Sequence, residues 1–253
     1  MPIRLFRRLT KLRNHTKQMK NSKILVTGMS GLIGGLAGRQ LAQNYDVSAL
    51  GRSNVEGFPN SIVDIGDGID SILPALDGVE TVIHMAGSRG NVPAETHIKA
   101  NVTGVYNLFE ACRITGVKRI VAASTGAVIA GYEKDEPYKS LVHDPDFEMP
   151  SQRPVITVDS PVRPRNVYSA SKMFTENLGR MYTEQHDMSI ICIRIGKVEI
   201  DDVPLNARNA SVWCSHRDIL QMIDKAVHAA DDLKYAVVFA CSDNPTLYRD
   251  IEH

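Results

Sequence analysis

Three glycines near the start of the chain, Gly28, Gly31 and Gly34, constrain the fold more than any other feature. They follow the apolar run 24–26, whose length and β-branching predict a buried strand, and they lead into a helical pattern over 32–44. In such a turn the first glycine permits the tight bend, the second lets a ligand approach the backbone, and the third lets helix and strand pack closely. The segment therefore predicts a strand–turn–helix unit whose helix N-terminus can face an anion.

Short apolar runs alternate with helical patterns along the rest of the chain. Further strands are predicted at 47–50, 62–63, 81–83, 120–123, 189–193 and 235–239, and further helices at 69–76, 93–115, 168–186 and 216–230. Ser215 and Asp218 are spaced as a capping pair for the last helix. Such alternation gives a parallel sheet covered on both faces. We therefore expect an α/β fold, a doubly wound parallel sheet of the Rossmann type, with a small C-terminal substrate-capping region.

The chain is expected to consist of a basic extension at 1–21 and a single Rossmann-type domain at 22–253. The extension mixes positive charges with apolar residues, which suits a transit peptide, a membrane-surface anchor or a nucleic-acid arm. The simpler interpretation, which we adopt, is a flexible solvated tail or sequence upstream of a true start at Met19. Within the domain, the proline- and charge-rich segment 132–165 is predicted to be one long loop, either a substrate lid or a surface insertion. Segments 197–215 and 240–253 are expected to cap the substrate.

Composition excludes several classes of function. Lysine plus arginine and aspartate plus glutamate both number 29, so no overall charge favours nucleic acid or a membrane surface as a partner. No apolar run approaches the roughly 20 residues that span a bilayer. The four cysteines are widely spaced without a CxxC pair, which favours buried, reduced thiols over disulfides or a metal site. We therefore expect a cytoplasmic protein with a small-molecule partner and no metal.

The residues after the second and third predicted strands bear on the choice of dinucleotide. An acid after the second strand would bind the ribose hydroxyls of NAD and repel the 2′-phosphate of NADP. This chain has Arg52 there, and a guanidinium suits a phosphate, so NADP is slightly favoured over NAD. Alternatively, Arg52 stacks on adenine or points into solvent. Asp64, after the third strand, is placed to accept a hydrogen bond from the adenine amino group.

Tyr168 and Lys172 form the strongest catalytic pattern in the sequence. At i and i+4 of a predicted helix, their side chains share one face. A tyrosine is a poor base at neutral pH, but an ammonium and an oxidised nicotinamide nearby both favour the phenolate, so we expect its pKa to be lowered. Thr125, after the fifth strand, supplies a hydroxyl that can orient the substrate oxygen. The set predicts general acid–base chemistry at a carbinol carbon.

Together these motifs resemble the extended short-chain dehydrogenases/reductases, also called the NAD-dependent epimerase/dehydratases. The resemblance covers roughly 22–245 and is carried by the glycine turn and by segments 84–87, 101–104, 124–125 and 168–172. It implies that Tyr168 is the general acid/base, that Lys172 lowers its pKa and binds ribose, and that Thr125 positions the substrate. Positions His84 and Asn101 match residues that are mainly structural in the family. The resemblance also implies a homodimer formed through helices 93–115 and 168–186.

Two sets of binding residues follow from the motifs and the resemblance. The expected cofactor-binding residues are Gly28, Ser30, Gly31, Leu32, Ile33, Gly34, Arg52, Asp64, Ile65, Met85, Ala86, Gly87, Asn101, Tyr168, Lys172 and Ile195. The expected substrate-binding residues are Ser88, Thr125, Gly126 and Arg208.

Within the family, segments 101–108, 168–182, 194–196 and 213–216 resemble the uronate dehydrogenases. That resemblance implies oxidation of the anomeric hydroxyl of a hexuronate, with Arg208 binding the sugar carboxylate through a bidentate contact. The chain departs from those enzymes in Gly126-Ala127, where they have Asn-His, and in Lys197, where they have serine. It also has a longer segment at 132–165 and lacks their acid after the second strand.

Three functions fit the sequence. The first is an NAD(P)-dependent dehydrogenase or reductase acting on the hydroxyl or carbonyl of a sugar or sugar acid. The second is a nucleotide-sugar epimerase or dehydratase with tightly bound NAD. The third is a non-catalytic dinucleotide sensor, which would not require Thr125, Tyr168 and Lys172 together. We expect the first.

Overall fold

The computed structural model describes residues 22–144, 147–148, 150 and 155–252. The basic extension at 1–21 lies outside the described residues. The described part contains one parallel sheet of seven strands in the order β3-β2-β1-β4-β5-β6-β7. The strands are β1 Lys23–Thr27, β2 Asp46–Gly51, β3 Asn60–Ile62, β4 Val79–His84, β5 Arg119–Thr125, β6 Ser189–Ile195 and β7 Tyr235–Ala240. The predicted doubly wound Rossmann fold is confirmed, and the strand order reverses between β1 and β4, where such sheets bind ligands.

Four of the five predicted helices lie close to their predicted positions, whereas the one predicted at 69–76 is a 3₁₀ helix at Leu73–Leu76 and two short α-helices, at 138–143 and 207–211, were not predicted. The α-helices are α1 Leu32–Leu41, α2 Ala94–Ile98, α3 Gly104–Thr115, α4 Tyr138–His143, α5 Val167–Gln185, α6 Ala207–Ser211 and α7 His216–Val227. A π turn, Lys99–Thr103, joins α2 to α3, so the helix predicted at 93–115 is nearly continuous. The predicted cap of α7 is confirmed, since the Ser215 hydroxyl accepts a hydrogen bond from the Asp218 backbone N–H at 3.1 Å. None of the described helices has both the length and the hydropathy of a membrane span.

Two apolar cores lie on opposite faces of the sheet. Successive strand residues point to opposite faces, so Leu25 packs in one core and Val26 in the other. Helix α7 covers the Val26 face with Ile219 and its neighbours, while α3 covers the Leu25 face with Phe109 and its neighbours. Burial on both faces explains why the strands read as continuous apolar runs in the sequence.

The prediction of one long loop at 132–165 is wrong. Helix α4 lies inside this segment, and the buried side chains of Tyr138, Leu141 and Val142 pack in a third core with Ile156 and Tyr248. A bridge between Ile156 and Arg249 joins the segment to the C-terminal residues. The helix is only six residues long and surrounded by prolines and charges, so packing rather than local propensity stabilises it. This third core packs the segment against the C-terminal residues.

Candidate active site

The glycine turn after β1 is shaped for close contact with a ligand. Gly28 has φ +69°, and a Cβ there would lie 2.6 Å from the Ala86 backbone nitrogen. A Cβ on Gly34 would collide with the Gly28 carbonyl. Gly31, the N-cap of α1, has no side chain to bond the first-turn N–H groups of the helix. Ser30 is exposed beside it. This uncapped helix end fits a pyrophosphate, because its backbone N–H groups can donate to the phosphate oxygens and the helix dipole stabilises their negative charge.

Buried polar contacts hold the ends of β1 and β4 together beside this turn. The Thr27 hydroxyl lies 2.8 Å from His84 Nδ1 and accepts a hydrogen bond from the Ala86 backbone N–H at 3.2 Å. Burial, and secondarily the charge of Lys172, lower the pKa of His84 to about 3, so its ring is neutral. His84 therefore acts as a structural residue that sets the path of segment 85–87 along the glycine turn.

The residues expected near the adenosine lie after β2 and β3. Arg52 follows β2 and is exposed. Asp64 Oδ1 accepts a hydrogen bond from the Gly66 backbone N–H at 2.9 Å, which is the main cause of its lowered pKa, and its Oδ2 lies 3.5 Å from Lys99 Nζ. Ile65 is buried, and its carbonyl accepts a hydrogen bond from Asn107. Asp64 thus already has partners within the chain for both oxygens, and sequence reasoning did not identify Lys99 as one of them.

The structure brings Thr125, Tyr168 and Lys172 together at the carboxyl end of β5. Thr125 ends the strand, and its hydroxyl hydrogen-bonds with Tyr168, which lies in the first turn of α5. Lys172 is buried, and its Nζ donates to the Ala123 carbonyl at 3.0 Å. The Asn166 side chain caps α5 by accepting from the Ser169 backbone N–H at 2.9 Å. The cap fixes where the helix begins, and therefore where the tyrosine and the lysine lie.

The expected lowering of the tyrosine pKa is not produced by the side chains alone. Burial raises the pKa of Tyr168, and this exceeds the opposite effects of the Thr125 hydroxyl and of the positive charge on Arg89. Burial also lowers the pKa of Lys172 to about 8. The lysine ammonium points at a backbone carbonyl, so Arg89, which the sequence did not single out, is the cation that acts on the phenol.

Asn101 links the loop after β4 to the catalytic helix. It lies in the π turn, where its Nδ2 donates to the Ser88 carbonyl and to Ser171 Oγ, both at 3.0 Å. Its Oδ1 accepts from the Ser88 backbone N–H at 2.9 Å. A Cβ on Gly87 would lie 3.1 Å from Lys172 Nζ, so the loop passes directly over the lysine. Asn101 thus ties Ser88 to Ser171 in the first turns of α5.

The expected substrate-binding residues Gly126 and Arg208 belong to a network that the sequence did not reveal. The Gly126 carbonyl accepts from Arg249 Nη2 at 3.2 Å. Arg208 Nε and Nη2 donate to the two carboxylate oxygens of Glu133 at 2.7 and 2.8 Å. The contact joins residues 75 positions apart, and no local pattern identifies such a pair. Arg208 therefore makes the bidentate contact expected of it, but with a carboxylate of the chain itself.

The remaining expectations concern Ile195, the cysteines and metals. Ile195 ends β6 and packs in the core on the α7 face of the sheet. The four cysteines are free and buried. Within the described ranges, no cluster of three or more histidine, cysteine or acidic side chains is suited to a metal ion.

Comparison with known proteins agrees with the fold. A family model described as the NAD dependent epimerase/dehydratase family matches residues 24–200. An NAD-dependent glucose-6-phosphate dehydrogenase of Haloferax volcanii is 30% identical over 239 residues, covering 90% of this chain and 88% of the relative. An L-arabinose 1-dehydrogenase (NAD(P)(+)) of the same organism is 29% identical over 219 residues, covering 83% and 84%. A mutant uronate dehydrogenase from Agrobacterium tumefaciens, complexed with NAD, aligns with a TM-score of 0.78 at 28% identity, covering 92% and 82%.

Proposed function

Because the chain belongs to the NAD-dependent epimerase/dehydratase family, we propose that it is an NAD(P)-dependent oxidoreductase that transfers hydride between nicotinamide and a sugar or sugar-acid carbon. One observation carries the proposal: Thr125, Tyr168 and Lys172 converge beside the glycine turn at the carboxyl edge of the sheet. A protein that only sensed a dinucleotide would need the turn but not this combination of hydroxyl, phenol and amine.

Each of the three proposed catalytic residues has a separate role in one proton transfer. A bound nicotinamide supplies the hydride acceptor or donor. Thr125 Oγ1 orients the reacting sugar oxygen, and Tyr168 Oη takes its proton during oxidation or returns it during reduction. Lys172, fixed by the Ala123 carbonyl, presents its remaining donors towards Gly87 and is placed to hold the nicotinamide ribose. Ser88, Gly126 and Arg208 would line the substrate on the outer side.

The cofactor can be NAD or NADP, and the position of Arg52 supports a slight preference for NADP. Its guanidinium is exposed just past β2, where a 2′-phosphate would lie in a dinucleotide bound to the glycine turn. Comparing Kd values for NADH and NADPH with wild-type protein and Arg52→Ala tests the assignment. Selective weakening of NADPH binding supports it, and equal weakening of both contradicts it.

We also propose a homodimer built on α3 and α5. The two helices lie side by side, joined by a hydrogen bond of 2.7 Å from the Tyr182 hydroxyl to Glu110. Their outer surface exposes four large apolar side chains, Tyr106, Ile114, Val167 and Met181. Covering them in a symmetric pair of four helices would remove this surface from water.

The compartment that best suits the chain is the cytoplasm. Four free, buried thiols are compatible with the reducing conditions found there.

The proposal is tested with a screen of purified protein against neutral aldoses, free hexuronates and UDP-sugars, each with NAD and with NADP. Net reduction of the nicotinamide, followed by its absorbance, is the expected result. A redox-neutral product formed from a UDP-sugar would instead identify the epimerase or dehydratase alternative. Failure to bind either dinucleotide would refute both.

A further inference from the structure

Glu133 is a buried carboxylate surrounded by cations beside the proposed substrate position. Its side chain is 3% exposed, and its oxygens accept from Arg208, from Arg165 Nη1 at 3.1 Å and from the Tyr248 hydroxyl at 3.1 Å. Burial alone would raise the pKa of Glu133, but the hydrogen bonds and charge of Arg208 outweigh it and lower the pKa. Glu133 is therefore ionised at neutral pH, and its bonding capacity is met from within the chain.

The network lies next to the catalytic residues. Glu133 lies in a 3₁₀ helix, Gly126–Lys134, that begins directly after Thr125, and Arg165 precedes Tyr168 by three residues. The Arg165 backbone N–H donates to Ser169 Oγ at 3.0 Å, which ties it to the first turn of α5. Arg208 is 30% exposed, so its guanidinium contacts the buried carboxylate of Glu133 while part of the side chain reaches solvent.

The carboxylate of Glu133 occupies one of the two paired-donor edges of the Arg208 guanidinium and offsets its positive charge, so a substrate carboxylate would meet a guanidinium that is already paired. The edge used is the Nε–Nη2 fork, and both donors are engaged at 2.7 and 2.8 Å. A substrate anion could take this fork only by displacing Glu133. That would leave a buried negative charge without its closest partner, which is strongly unfavourable.

The neighbouring arginines do not provide a second fork. Arg165 is 45% exposed, so solvent and salt screen its charge, and it already donates to Glu133. Arg249 is buried over the rings of Phe239 and Tyr248, where its Nη2 donates to the Gly126 carbonyl and its Nη1 to Cys241 Sγ. Its Nε is buried and has no hydrogen-bond partner among the described residues, but the Nη2 of the same fork is already engaged.

We propose that Glu133 determines the charge of the substrate, selecting a neutral aldose over a sugar acid by filling the guanidinium fork of Arg208. The inference rests on the proposed sugar dehydrogenase function and narrows its substrate class. A neutral sugar presents hydroxyls, which can share the remaining donors of Arg208 and Arg165 without displacing Glu133.

The first test compares matched substrates of the wild-type protein. The values of kcat/KM are measured for glucose against glucuronate, galactose against galacturonate, and for arabinose and glucose-6-phosphate, with both dinucleotides. The expected preference for the neutral member of each pair is about tenfold or more, the size of one charge-assisted hydrogen bond. A preference for a uronate or for the sugar phosphate overturns the inference and leaves the proposed function standing. No nicotinamide reduction with any of these sugars overturns the proposed function and the inference with it.

The second test removes the carboxylate that pairs with Arg208. In Glu133→Ala we expect the ratio of uronate to neutral kcat/KM to rise about tenfold, and in Glu133→Ala with Arg208→Ala we expect the gain to be lost. Asp135→Ala, which removes an exposed carboxylate two residues away that pairs with Arg163, is the matched control and should leave the ratio unchanged. Glu133→Gln keeps the shape of the side chain and should move the ratio in the same direction if the alanine variant folds poorly. An unchanged ratio in a variant that unfolds cooperatively and binds dinucleotide overturns the inference.

Discussion

At the scale of single residues, burial decides the protonation states at the site more than neighbouring charge does. His84 and Lys172 have lowered pKa values and Tyr168 a raised one, and burial is the largest cause in each case. Each group is thus shifted towards its neutral form, as desolvation requires. A neutral phenol is the form that donates a proton in reduction, whereas oxidation needs additional positive charge close to Tyr168.

Replacing Tyr168 by phenylalanine removes the hydroxyl proposed to move the proton, together with its hydrogen bond to Thr125, and keeps the rest of the ring. We expect kcat to fall about 100-fold or more, because that is the usual contribution of a positioned acid or base. The Kd for the dinucleotide, measured by calorimetry, should change little. Tyr45→Phe is the control, since the Tyr45 hydroxyl contacts His228 and the residue directly precedes β2, at the amino edge of the sheet. Near-normal turnover in Tyr168→Phe would exclude the proposed chemistry.

His84 should make the stability of the fold sensitive to acid. Its pKa is about 3 in the folded protein and about 6.5 when unfolded, so between these values only the unfolded state binds the proton. The free energy of unfolding should therefore be independent of this group above pH 6.5. It should fall by about 1.4 kcal/mol per pH unit as the pH drops towards 3. Urea unfolding of wild type and His84→Asn at several pH values below 6.5 should show a shallower slope for the variant. Equal slopes would show that His84 titrates normally in the fold.

At the scale of elements, the π turn within the helical stretch 94–115 and the helix after it hold different parts of the molecule together. The turn brings Asn101 against both Ser88 and Ser171, while Asn107, farther along, bonds the Ile65 carbonyl in the scaffold. A wider turn of this kind often lies at a functional position in a helix. Here it directs one side chain between the loop after β4 and the catalytic helix.

Comparing Asn101→Ala with Asn107→Ala distinguishes the positioning of Ser88 and Ser171 from a general loss of stability. Each removes buried amide hydrogen bonds, so each should lower the free energy of unfolding by about 1–3 kcal/mol. Only Asn101→Ala should also lower kcat, by about tenfold, since it releases Ser88 and Ser171 beside the site. Denaturant unfolding and steady-state kinetics measure the two effects. A similar loss of kcat in both variants would indicate that stability alone is responsible.

At the scale of the whole molecule, the strand order brings distant segments to one edge of the sheet. Thr27, His84 and Thr125 end three strands that are adjacent in the order β1-β4-β5, although the chain between the first and last spans nearly a hundred residues. The third core packs residues from α4, from the region of α6 and from the C-terminal segment against Val128 and Ile129, which follow closely after Thr125. The site therefore depends on the complete fold rather than on any one motif.

If α3 and α5 form the dimer interface, introducing charges on their exposed surface should dissociate the dimer. Tyr106→Glu with Met181→Glu should convert the dimer to a monomer, because two carboxylates would be buried without partners in the interface. Light scattering after gel filtration measures the mass. Ile200→Glu is the control, since Ile200 is exposed but lies in the loop after β6, away from α3 and α5. A wild-type protein that is monomeric at all concentrations would contradict the proposal.

The sequence by itself determined the features that depend on local chemistry. The glycine turn, the apolar strands, the i,i+4 tyrosine and lysine and the Ser215 cap all follow from backbone geometry within a few residues. Only the tertiary structure decided what depends on distant contacts: helix α4, the contacts of Asn101, the opposing effects of burial and of the Arg89 charge on the pKa of Tyr168, and the pairing of Arg208 with Glu133. The physical reason is that burial and partners fix the energy of a polar group, and both are properties of the packed chain rather than of neighbours in sequence.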